Sequence, residues 1–99
     1  MLQNDTIAAI ATPAGRGGVG IIRLSGPRVQ HIAEQMLGQL TKPHRAAHRQ
    51  FLGNDGRVLD DGVAIYFPSP HSFTGEDVLE LQGHGGKIVM DILLQACLQ

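Results

Sequence analysis

Ser72-Phe73-Thr74-Gly75-Glu76-Asp77-Val78-Leu79-Glu80-Leu81-Gln82-Gly83-His84-Gly85-Gly86 is the stretch whose reading decides the fold. From Asp77 to Gln82 the residues alternate with the period of a strand. Asp77, Leu79 and Leu81 point one way, and Val78, Glu80 and Gln82 the other. A carboxylate inside an apolar strand is costly to bury without a partner. Glu80 therefore reaches solvent, pairs with a cation or holds a ligand. Glycines follow at once, and then Val89, Ile92, Leu93, Ala96 and Cys97 lay out one helical face from about Gly86 to the end. Strand, glycines and helix together make a pocket edge.

Working towards the N-terminus, residues 68–76 read as a loop opened by Pro68-Ser69-Pro70. Gly62 to Phe67 is a strand, and Val58-Leu59 begins the return limb of a hairpin turning at Asn54-Asp55-Gly56. The opposing strand starts near His48 and runs through Phe51. Asp60-Asp61 reads as a solvated turn. Val29, Ile32, Ala33, Met36 and Leu37 form the apolar face of a first helix, with Pro27 suited to its first position and Gly38 to its end. Before it come strands over Val19–Leu24 and Thr6–Ala11. The order is β-β-α-β-β-β-α. It specifies an α+β domain, with a mixed sheet of about five strands flanked by helices.

A second mid-strand charge lies in Val19-Gly20-Ile21-Ile22-Arg23-Leu24, where Arg23 sits between apolar neighbours. Arg23 and Glu80 are the candidate site. One reading makes them a cross-strand ion pair, which is worth little if exposed. The other makes them ligand groups. A carboxylate can accept two parallel N–H bonds, and a guanidinium fork can address ligand oxygens.

The remaining candidates are weaker. Gly15-Arg16-Gly17-Gly18-Val19-Gly20 leads into a strand and not a helix, so it lacks the helix N-terminus that a phosphate loop uses. No Gly-x-x-x-x-Gly-Lys-Ser/Thr occurs. His84, between Gly83 and Gly85, could cap the last helix or reach a ligand, and a cap or an exposed side chain is the favoured reading. His44 and His48 have the spacing of helical metal ligands but lie beside Arg45 and Arg49, which favours a solvated basic segment over a metal site. Cys97 reads as a core filler. No catalytic residue and no metal site is assigned.

Composition bounds the rest. Ninety-nine residues, 42% of them hydrophobic, suit one small domain with an aliphatic core. A net charge of −1 and 4% aromatic residues give no sign of a nucleic-acid surface. A single cysteine excludes an internal disulfide. No leader pattern or membrane-length apolar run is visible, so the cytoplasm is the expected location.

Three stretches together resemble the N-terminal domain of the MnmE (TrmE) tRNA-modification GTPases. They are Asn4-Asp5-Thr6-Ile7-Ala8, then Thr12-Pro13-Ala14-Gly15-Arg16-Gly17-Gly18-Val19-Gly20-Ile21-Ile22-Arg23-Leu24-Ser25-Gly26, and finally Ser72 through Gly86. The resemblance implies an aminomethyltransferase-like, folate-binding N-terminal domain over residues 1–99. It implies a tetrahydrofolate derivative (the 5-formyl or 5,10-methylene form) as one-carbon donor, with Arg23 and Glu80 at the folate-binding positions. It also implies dimerisation through this domain, and a flavoprotein partner, MnmG (GidA). The full-length protein would be a GTPase using GTP, Mg2+ and K+, which modifies carbon 5 of the tRNA wobble uridine and has no membrane partner. The domain would continue past Gln99, where the family has a further ligand-binding lysine, and the helical and GTPase domains lie outside this chain. The alternative is a dimerisation module without a ligand role of its own.

Overall fold

The computed structural model describes residues 5–11, 19–72 and 74–98. Five strands and two helices follow the expected order: β1 Ile7–Ile10, β2 Gly20–Ser25, α1 Val29–Leu37, β3 Ala47–Leu52, β4 Val58–Phe67, β5 Val78–Gly83 and α2 Lys87–Cys97. The strands form one sheet in the order β1-β2-β5-β4-β3. The α+β architecture stands as expected. Every pairing between these strands is antiparallel, where the sequence reading allowed a mixed sheet. A parallel pair needs a crossover between neighbouring strands. Here the α1 crossover joins β2 to β3, which are not neighbours.

β5, the strand of the decisive stretch, is central. It pairs with β2 on one side and β4 on the other. The register sets Leu81 between Ile22 and Ala64, and Leu79 between Leu24 and Tyr66. All six are buried and share one core with Val29, Ile32, Ala33, Met36 and Leu37 of α1 and Met90, Leu93 and Cys97 of α2. Both helices therefore cover one face of the sheet. Cys97 Sγ lies 3.3 Å from Met36 Sδ, where α2 meets α1. Cys97 is the core filler that the sequence suggested.

Alternation sends Arg23, Glu80, Gln82, Val63 and Ile65 to the opposite face. Ser25 and Thr74 meet at one end of that face, with their hydroxyl oxygens 2.7 Å apart. The segment before β5 is thereby tied to β2.

Several boundaries differ from the sequence reading, each for a local reason. Pro27 is in the turn before α1 and not its first residue, because the helix starts at Val29 with Arg28 as N-cap. The Arg28 N–H donates to Thr6 Oγ1 at 2.7 Å, which anchors this turn to the start of β1. Val58 to Phe67 is one continuous strand, so Asp60-Asp61 is not a turn. Gly62 makes that possible, since a Cβ there would run into the Gln82 carbonyl oxygen across the β4–β5 pair. α2 is rotated from the expected face: Met90, Leu93 and Cys97 are buried, whereas Ile92 is 46% exposed and Ile88 75%. The hairpin turn at 54–56 is as read, with Gly56 at φ 82° and the Arg57 N–H donating to Asp55 Oδ1.

Candidate functional site

Arg23 and Glu80 are direct cross-strand partners in the β2–β5 register, with Ala9 beyond Arg23 and Ile65 beyond Glu80. Residues facing each other across antiparallel strands have side chains close enough to pair. Arg23 Nη2 donates to Glu80 Oε2 at 3.0 Å. Gln82, two residues along the same face, donates from Nε2 to Glu80 Oε1 at 2.8 Å. Both carboxylate oxygens are held, and the carboxylate cannot rotate without losing a bond.

The burial is asymmetric. Glu80's side chain is 9% exposed and Arg23's is 38%. A buried carboxylate must be compensated, and here a cation and an amide do so. An ionised carboxylate has about four acceptor lone-pair positions. Among the described residues Arg23 and Gln82 each donate to one of its oxygens, and the remaining lone pairs can accept from a ligand. The unit is thus a preset carboxylate on the helix-free face, flanked by a solvent-reaching guanidinium.

Gln82 is the member of this unit that the sequence reading did not single out. The signal was available, because an i, i+2 neighbour of a strand carboxylate shares its face. Gln82 also borders a cavity of about 260 Å³, together with Val63, His48, Asp61 and His84.

His84 is exposed, as one of its readings had it, but it does not cap α2. The N-cap is Gly86, with no side-chain bond. The His84 ring Nδ1 lies 2.6 Å from Asp60 Oδ1, and its backbone N–H donates to Asp60 Oδ2 at 2.8 Å. The Asp60 side chain is only 8% exposed. Burial alone would raise its carboxyl, but the hydrogen bonds from His84 and from the Asp61 backbone N–H outweigh this and hold it below the usual range. The hydrogen bond to Asp60 raises His84, and the Asp60 charge adds to it. His44 and His48 do not share a helix: His44 has φ 60°, and His48 lies in β3. The glycine-rich residues 12–18 lie outside the described residues. Among the described residues no helix is long and apolar enough to cross a membrane.

The family model described as "GTP-binding protein TrmE N-terminus" matches residues 6–99. The chain belongs to this family. Proteins named tRNA modification GTPase MnmE are similar to it along its whole length. That of Chromohalobacter salexigens is 61% identical over 97 residues, covering 98% of this chain and 21% of the relative. That of Nitrosomonas europaea is 58% identical over 99 residues, covering 100% of this chain and 22% of the relative. That of Pseudomonas syringae pv. syringae is 63% identical over 98 residues, covering 99% and 22%. The TrmE N-terminal chain described here thus spans about a fifth of the length of these relatives.

Proposed function

We propose that this chain is the tetrahydrofolate-binding and dimerising part of a GTPase that modifies carbon 5 of the tRNA wobble uridine. The single observation that carries the folate reading is the Arg23–Glu80–Gln82 unit on the helix-free face of the sheet. A pterin ring presents two adjacent N–H donors, on N3 and on the 2-amino group. Glu80 is held in a fixed orientation with lone pairs that can accept further bonds, which suits that pair of donors. Arg23, partly in solvent, can meet oxygens on the same ligand. The relatives' name, tRNA modification GTPase, supports the wider setting. GTP, Mg2+ and K+ would be used in the GTPase part, and MnmG would supply the flavin. The location would be the cytoplasm.

This part of the enzyme carries out no bond-making step by itself in this reading. Its residues bind and orient the one-carbon donor. The buried Glu80 fixes the pterin edge, and Gln82 fixes Glu80.

Calorimetric titration with 5-formyltetrahydrofolate tests the proposal. The wild-type chain should bind saturably. Glu80→Gln should weaken binding by at least about a hundredfold, since two charge-assisted hydrogen bonds of roughly 1.5–3 kcal/mol each lose the carboxylate. Sedimentation of the same variant separates the dimerisation-only reading. A dimer that persists without folate binding makes Glu80 a ligand group, whereas a monomer makes it an interface group.

A further inference from the structure

Three metal-competent side chains, Asp60, Asp61 and His84, come together at the end of the sheet, with His48 beside them. Asp60 and Asp61 are consecutive in β4, His84 directly follows β5, and His48 lies in β3 opposite Val63. One donor atom each from Asp60, Asp61 and His84 fall within 4.8 Å of one another. His84 Nδ1 is 2.6 Å from Asp60 Oδ1 and 3.9 Å from Asp61 Oδ1. A tetrahedral zinc ion with bonds of about 2.0–2.2 Å keeps its donors about 3.3 Å apart. The two separations from His84 bracket that value, and the third lies within 4.8 Å, so rotation of the exposed His84 and half-exposed Asp61 side chains would admit the ion.

The surroundings suit a ligand. Asp60's second oxygen is already pinned by the His84 backbone N–H, which aims Oδ1 at the imidazole. Such an outer hydrogen bond is what orients a ligating carboxylate. His48 Nε2 is 3.3 Å from Asp61 Oδ2, on the far side of that carboxylate. His48, Asp61 and His84 all border the cavity of about 260 Å³, which gives an ion and its water a way in.

We propose that Asp60, Asp61 and His84 bind one divalent transition-metal ion, with water completing its shell from the cavity side. The donor set names the class. Imidazole with carboxylate suits zinc, cobalt or nickel, whereas magnesium and calcium take oxygen donors. The ion would replace the Asp60–His84 hydrogen bond with a bond from each group, and the imidazole would ligate in its neutral form. It would join β4 to the β5–α2 connection. Its ligands are not those of the Arg23–Glu80–Gln82 unit, although Gln82 borders the same cavity, and the proposal does not depend on the folate reading.

Titration of the chain with zinc chloride, in buffer freed of other metals, tests this. One ion per chain should bind, and cobalt(II) in its place should give the visible absorption of a tetrahedral ion. His84→Gln and Asp60→Asn should each weaken zinc binding by at least about tenfold. His31→Gln, an exposed histidine of α1, should leave it unchanged. His84 is an exposed side chain, so His84→Gln keeps the fold, and circular dichroism checks this. Equal zinc affinity in folded His84→Gln would overturn the proposal. So would no zinc binding by the folded wild type, or preference of the site for magnesium.

Discussion

The two faces of the sheet are built from alternate residues of the same strands, yet they serve opposite ends. On the helix-covered face, Ile22, Leu24, Leu79 and Leu81 are fully buried against α1 and α2. On the other face, the residues between them are Arg23 and Glu80, joined by Gln82. One face gains from excluding water without regard to direction. The other has directional bonds and a charge that must be satisfied. A polar group can be placed this deeply only because the strand's other face supplies the stability. The comparison teaches that one set of strands carries two kinds of stabilisation: apolar burial on one face and a compensated buried charge on the other.

The helix-covered face should show the largest effects. Burial pushes the Cys97 thiol up to about 12. Its alkylation in the native protein should be about a thousandfold slower than in the denatured chain, because the thiolate is the reactive form. Equal rates would mean that α2 does not pack as described. Next, Leu81→Ala should cost about 3 kcal/mol and lower Tm by roughly 15 °C. Folate affinity of the remaining folded protein should change little, because Leu81 points away from the site. A large loss of affinity at unchanged stability would break the separation of the two faces.

Smaller effects belong to the polar groups. Gln82→Met removes one bond to Glu80 and should weaken folate binding by about fivefold, equivalent to about 1 kcal/mol. Unchanged affinity would remove Gln82 from its positioning role. The smallest effect is in the pH profile of stability, measured with a chelator present. His84 titrates above its ordinary 6.5, so its contribution is complete below that value and is lost as pH rises through the raised one. Asp60 titrates below its ordinary 3.8, so its contribution is present above that value and is lost as pH falls through the lowered one. The pair therefore contributes most between 3.8 and 6.5. Asp60→Asn should flatten both limbs of the urea midpoint plotted against pH.

The parts legible in the sequence were those governed by local periodicity. The strand pattern of β5, the mid-strand charges Arg23 and Glu80, the hairpin at 54–56 and the apolar face of α1 all follow from residue spacing. Other features depend on what lies across the sheet. Asp60-Asp61-Gly62 has turn-like composition, but Gly62 permits close approach of β5 and Asp60 is held by His84, so β4 continues through it. The face of α2 was ambiguous because Ile88 and Ile92 are as apolar as Met90 and Leu93. The face is selected by what lies across the core: Met90 packs against Gly20 and Cys97 against Met36.

The most direct test of the two-face account is nitrogen-15 and methyl NMR during titration with 5-formyltetrahydrofolate. The account predicts that the Gln82 side-chain amide and the Arg23 guanidinium resonances move on binding, while the methyl groups of Leu79, Leu81 and Leu93 stay in place. Shifts concentrated in those methyl groups, with Gln82 and Arg23 unmoved, would contradict it.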